Sequence, residues 1–116
     1  MEFMLLLYAD EQGGLSLPKE EMAMWMSKMN EYGKALEKAG AFISTGGLGV
    51  TSKASVVHVE NGELQVHNGP YADTQEQLGG YYHIRAKSMK DAQSWAAKCP
   101  AAIWGHIEIR QIEHGA

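Results

Sequence analysis

Residues 2 to 9 form one short apolar run, closed off by Asp10, Gly13 and Gly14. Its length suits a strand buried on both sides, with Phe3, Leu5 and Leu7 on one face and Met4, Leu6 and Tyr8 on the other. From about Pro18 to Ala39 the spacing changes to that of a helix. Met22, Trp25, Met26, Met29, Tyr32, Leu36 and Ala39 recur on one stripe, with charged residues between them. Pro18 suits the first turn, Glu20 and Glu21 favour the positive end of the helix dipole, and Gly40 supplies the stop. The methionine stripe reads as core filling. Phe42 and Ile43 then lead into Gly46, Gly47, Leu48 and Gly49, a strand breaking into a bend. No Lys-Ser pair or helix start follows, so these glycines predict a close backbone approach or a bulge, not a phosphate loop.

Val56 to Glu60 and Glu63 to His67 alternate about Asn61-Gly62, a dipeptide that favours a type I′ hairpin turn. Pairing across it puts Val57, Val59, Leu64 and Val66 on one face and His58, Glu60, Glu63, Gln65 and His67 on the other. A further strand runs from Gly80 to Ala86. A second helix starts at Ser88, with Asp91 three residues on as in a capping box, and Pro100 ends it. His106 to Ile112 alternates as a last strand, with Ile107 and Ile109 on one side. The order strand, helix, strand, hairpin, strand, helix, strand predicts an α+β fold. It is a ferredoxin-like antiparallel sheet with two helices on one face and an inserted β-hairpin, within a single domain spanning 1–116. Two helices cover only one face, yet the first strand is apolar on both. A second copy packed sheet to sheet, as a homodimer, is the economical cover, and Tyr81, His83 and Trp104 are candidates for the enclosed side.

Composition narrows the function classes. With 45% apolar and 21% charged residues the chain reads as a soluble globular protein, and no apolar run reaches the roughly 20 residues that span a bilayer. The opening Phe3 to Leu7 lacks the basic leader and cleavage site of a signal peptide. Ten basic residues against 14 acidic ones give a net charge of −4, with the basic residues scattered, which argues against nucleic-acid binding. The single cysteine, Cys99, excludes an internal disulfide framework and fits a reducing cytoplasm; its place before Pro100 reads as a small buried group, not a reactive thiol.

The richest stretch runs from His67 to Tyr82, His-Asn-Gly-Pro-Tyr-Ala-Asp-Thr-Gln-Glu-Gln-Leu-Gly-Gly-Tyr-Tyr. It crowds turn formers, carboxylates, a hydroxyl and three tyrosines between two strands, more chemistry than a plain connection needs. This run resembles the signature of the YCII-related family, in particular its DGPF branch, Asp-Gly-Pro-Phe-Ala-Glu-Thr-Lys-Glu followed by Gly-Gly-aromatic. The resemblance extends to Leu5–Tyr8, the Gly46-Gly47-Leu48 bend, Trp95-Ala96-Ala97, Pro100-Ala101-Ala102 and Ile107–Arg110, nearly the full length. It implies a homodimeric α+β barrel with a cleft lined by the sheet and the signature loop. It also implies kinship with enzymes that handle small organic molecules without a cofactor.

Asn68, Tyr71, Asp73 and Gln75 stand where that signature has aspartate, phenylalanine, glutamate and lysine. The other YCII branch carries a histidine on the first helix and an aspartate just before the proline that ends the second. Here the first helix has no histidine and Cys99 precedes Pro100, so that acid–base dyad is absent.

The candidate catalytic residues are Asp73, Glu76 and His83. The two carboxylates share a face if a helical turn follows Pro70, and His83 lies on a central strand, where a half-buried imidazole suits acid–base work. A capping role for Asp73 and a strand-paired His83 compete with catalysis. Tyr8, Asn68, Gly69, Pro70, Tyr71, Thr74 and Tyr81 are the candidate ligand-binding residues, offering rings to flank a ligand and polar groups to orient it. His58 with His67, and the His-x-Glu pairs at His58 and His106, lack an evident third ligand, so neither metal nor other cofactor is expected. The expected function is that of a cytoplasmic homodimer binding a small polar or aromatic metabolite around residues 68–82, with cofactor-free lyase or isomerase-type chemistry. The alternative is a non-catalytic sensor or accessory module, since relatives of this kind are linked with extracytoplasmic-function sigma factors.

Overall fold

The computed structural model describes residues 1–115. Strand β1 (Glu2–Ala9) leads into a short helix α1 (Glu11–Leu15) and a long helix α2 (Lys19–Lys38), followed by strand β2 (Phe42–Gly47). A 3₁₀ turn at Thr51–Lys53 precedes the hairpin β3 (Ser55–Glu60) and β4 (Glu63–Asn68). Strand β5 (Gln77–Arg85), helices α3 (Met89–Lys98) and α4 (Ala101–Trp104) and strand β6 (His106–Ile112) complete the chain. The short helices α1 and α4 and the 3₁₀ turn go beyond the expected pattern. None is long enough to show a helical period.

Local chemistry explains the boundaries. The Asp10 carboxylate accepts the Gln12 amide at 3.2 Å and starts α1. Gly40, at φ +72°, ends α2 with a Schellman pair: its own amide donates to the Glu37 carbonyl and the Ala41 amide to the Leu36 carbonyl. Ser88 accepts the Asp91 amide at the head of α3, while the Asp91 carboxylate reaches back to the Lys87 amide, a one-residue variant of the expected capping box. Asn61 and Gly62 both have positive φ and close the β3–β4 hairpin as a type I′ turn demands.

The main sheet has the order β2-β5-β1-β6 with every pair antiparallel, which is the ferredoxin-like arrangement once the hairpin is set aside. Phe3 and Leu5 of β1 and Tyr82 and Ile84 of β5 point to the helical side. There they meet Tyr32 and Leu36 of α2 and Ala92 and Ala96 of α3 in one core. Tyr32 sits edge-on to Tyr82 with ring centroids 5.2 Å apart, and its hydroxyl donates to the Trp95 carbonyl at 2.8 Å. Met4, Leu6 and Tyr8 point the other way, in register with His83 and Tyr81 of β5 and with Arg110, Glu108 and His106 of β6. This second face carries no helix.

Two departures from expectation follow from reach. Helix α2 is 20 residues long, about 30 Å, and only Tyr32 and Leu36 in its C-terminal half are buried. Met22, Met24 and Met26 remain exposed, so the first half of the methionine stripe is not core. The hairpin forms a separate two-stranded sheet, and its valine–leucine face is exposed. The radius of gyration, 16.1 Å, exceeds the roughly 13 Å of a compact chain this long.

Candidate functional site

The bare sheet face is built by strand alternation and held open by glycine. Tyr81 lies over Gly46 so closely that a Cβ there would come within 2.9 Å of the Tyr81 ring. The Gly46 bend is therefore the close approach its glycines predicted, and it fixes where the tyrosine ring lies. A bulge between Leu7 and Tyr8 shifts the β1–β5 register, bringing Tyr8 opposite Leu78 on one side and His106 on the other.

Two imidazole–carboxylate pairs flank these tyrosines. His83 Nε2 lies 2.7 Å from Glu2 Oε1, with the histidine side chain only 21% exposed. His106 Nδ1 lies 2.8 Å from Glu76 Oε1. His83 is level with Met4 and His106 with Tyr8, four residues further along β1, so the pairs are separated by roughly 13 Å of strand. Glu76 and His83 therefore do not share one closed pocket within a single chain. Each has a partner that the sequence did not reveal, because Glu2 and His106 come from strands 81 and 30 residues away.

The signature segment is mostly a structural tie. No helical turn follows Pro70, so Asp73 and Glu76 do not share a helix face. Thr74 Oγ1 donates to the Glu76 carbonyl at 2.5 Å, and the Gln77 side chain spans the Thr74 carbonyl (2.6 Å) and the Glu11 amide (3.0 Å). These bonds, not Asp73, hold the loop. Asn68 pairs with Ser55 at the end of β4, and Gly69, at φ +115°, donates its amide to the Ala54 carbonyl. The signature glycine thus meets a backbone requirement. Pro70, Tyr71 and Asp73 are exposed, Tyr71 to 91%. Glu11 anchors the same end, accepting from the Thr51 amide at 2.7 Å and its hydroxyl at 2.8 Å.

Two concave regions lie on the helical side, and residues 68–82 line neither. One, of about 450 Å³, runs between α2 and α4 under Trp25, Trp104, Met22 and Met26, with Asp10 and Glu21 as its charged rim. The two indoles meet edge-on at 4.7 Å, so Trp104 walls a groove on the helical side and does not face the helix-free side for which it was a candidate. The other, of about 420 Å³, is bordered by Tyr32, Trp95, Lys28, Lys98 and Cys99. Cys99 is buried, which pushes its thiol up to about 11, and Tyr32 and Tyr82 are raised above the ordinary phenol value by the same loss of water. A neutral thiol here is a poor nucleophile. Sequence patterning missed the α2–α4 groove because its residues were assigned to the core; an over-long apolar stripe on a helix longer than the sheet beneath it was the available signal. Among the described residues, no group of three or more His, Cys, Asp or Glu side chains is placed to hold a metal ion.

The model of the YCII-related domain matches residues 1–114. The chain belongs to the YCII-related family. An uncharacterised protein of Rhizobium meliloti is 31% identical over 114 residues, covering 97% of this chain and 92% of that protein. Among solved structures, the YCII chain is similar to 5-chloro-2-hydroxyhydroquinone dehydrochlorinase from Burkholderia phenoliruptrix in complex with 2,5-dihydroxybenzoquinone. The TM-score is 0.57 at 13% identity, over 99% of this chain and 96% of the other. At that identity the likeness concerns the fold, and it agrees with the ferredoxin-like α+β sheet seen here.

Proposed function

We propose that this YCII-related protein is a cytoplasmic homodimer that binds a small polar or aromatic metabolite against the helix-free face of its sheet. Tyr8 and Tyr81 flank the ligand, and the segment from Asn68 through Gly69, Pro70 and Tyr71 to Thr74 borders the cleft once a second copy lies over it. The observation that carries the reading is the His83–Glu2 pair: an imidazole only one-fifth exposed, 2.7 Å from a carboxylate, on the same face as a tyrosine ring locked over Gly46. A carboxylate that orients an imidazole makes it a competent general base or acid. With His83 in that role, Glu76 and its partner His106, roughly 13 Å along the strand and beyond the reach of one small ring, border the cleft further out, and Asp73 lies at the rim. Cofactor-free lyase or isomerase-type chemistry is the reaction class that suits such groups. The dehydrochlorinase of similar fold, which carries a small quinone, supports the ligand class.

A non-catalytic sensor is the second reading. It is favoured by the roughly 13 Å between the two imidazole pairs and by the absence of the family's helix-borne histidine. The test is a thermal-shift survey of small metabolites that includes 2,5-dihydroxybenzoquinone, run on the wild type and on His83→Ala, Glu76→Gln and Asp73→Ala. Ligands should raise the melting temperature of the wild type and lose that effect in His83→Ala. Turnover of a stabilising ligand by the wild type but not by His83→Ala supports catalysis, and binding without turnover supports the sensor. Equal stabilisation of every variant removes the site assignment.

A further inference from the structure

The β3–β4 hairpin is an arm without a surface to rest on. Its strands pair only with each other, the Gly69 amide closing its base on the Ala54 carbonyl, and the grip of Glu11 on Thr51 just ahead of β3 ties that base to the body. A lone two-stranded hairpin is marginal in water. This one is also amphipathic. Val57, Val59, Leu64 and Val66 form one aliphatic face at 62, 60, 63 and 58% exposure, while His58, Glu60, Glu63 and Gln65 occupy the other. Strand alternation that clean has a purpose only if the aliphatic side is covered.

Geometry narrows what covers it. Six residues per strand carry the arm about 20 Å from its base, a length that a small metabolite cannot cap. The cover must be present whenever the protein is folded, a condition met by another molecule of the same chain. We infer that each arm packs its valine–leucine face on a second copy, so that a pair of arms clasps the dimer.

Area supports a shared load. Four aliphatic side chains at this exposure offer roughly 400 Å² per chain, within the size of patches that mark contact sites. With the matching surface each arm covers on its partner, two arms bury roughly 1,600 Å² in total, within the 1,200–2,000 Å² of a typical stable interface. The arms thus carry a load of their own beside the sheet-to-sheet contact. This inference rests on the homodimer of the proposed function, and the experiment separates the two.

Sedimentation of the full chain over a micromolar concentration series is compared for the wild type, Leu6→Glu on the sheet face and the double variant Val57→Glu/Val66→Glu on the arm. Both arm positions face solvent in the single chain, so circular dichroism should show its fold retained. The wild type should be a dimer, and the arm variant should dissociate at a concentration at least a hundredfold higher. Hydrogen exchange on the unmutated protein gives an independent reading: amides of residues 55–60 and 63–68 should be protected in the dimer and lose protection on dilution. A wild-type monomer overturns both the homodimer and the clasp. A dimer whose arm amides exchange at unprotected rates, or an arm variant that dimerises as tightly as the wild type, overturns the clasp alone.

Discussion

Gly46→Ala tests whether a missing side chain sets the position of Tyr81. The added Cβ would sit 2.9 Å from the ring Cε1 and 3.1 Å from the hydroxyl oxygen. Carbon atoms in comfortable contact stand about 3.5–4.0 Å apart, so the ring has to retreat by about 0.6–1 Å. Overfilling a packed contact costs about 1–3 kcal/mol. Against that, alanine in a strand is favoured over glycine by about 0.5–1 kcal/mol, and the backbone of Gly46 lies outside the positive-φ region where glycine is needed. Alone, the substitution should therefore destabilise by about 1 kcal/mol. In a Tyr81→Ala background, where the ring is gone, it should stabilise by about 0.5–1 kcal/mol. Urea unfolding of the four proteins of this cycle, at one protein concentration, should give a coupling of about 2 kcal/mol. Ligand-induced stabilisation should fall with Gly46→Ala as the ring moves. A Gly46→Ala effect that is the same in both backgrounds, within about 0.3 kcal/mol, would refute the claim that glycine positions this ring.

Gly105→Ala should cost about 3 kcal/mol, because the new Cβ would overlap the Tyr8 carbonyl of the central strand, a backbone atom that cannot swing aside; thermal melting measures it. Tyr32→Phe should cost about 1–2 kcal/mol by leaving the Trp95 carbonyl without its donor, and chemical denaturation of the two proteins would show it. Cys99 should react with a disulfide reagent only as fast as the protein unfolds. Its pKa, raised from 9.0 to about 11, keeps the thiol contribution to stability whole below pH 9. That contribution fades as pH climbs toward 11, since the unfolded chain gives up its proton first. The loss should reach about 2–3 kcal/mol and be absent from the corresponding slope in Cys99→Ala, as followed by pH-dependent denaturation.

The elements with strong periods were legible. The alternation of Val56 to His67 about Asn61-Gly62 specified the hairpin register, and the 2–9 run marked β1 to the residue, because both signals are local and repeat several times. The helix α2 was equally plain, but its burial was not. An apolar stripe says that a face seeks cover, not whether the sheet beneath extends far enough to provide it, so Met22 and Met26 were placed in a core they do not reach. The site was legible only in part. His83 and Glu76 were picked out by residue type, whereas their partners Glu2 and His106 depend on which strands become neighbours, a property of the sheet order β2-β5-β1-β6 that no short window contains. Gly69 and Thr74 were read as ligand contacts. The geometry gives both a backbone task, visible in sequence only as a glycine before proline and a threonine two residues before Glu76.

The first strand of this protein lies in the middle of the sheet, with the last strand hydrogen-bonded to its outer side. A chain leaving the ribosome therefore holds residues 2–9 in waiting until residue 112 is made, and only then does that strand lose its bare edge. Such late closure makes the nascent chain a natural client for chaperones that shield apolar segments. It also means that a stop codon before residue 106 would leave the first strand with a sticky bare edge, not a smaller working version of the protein.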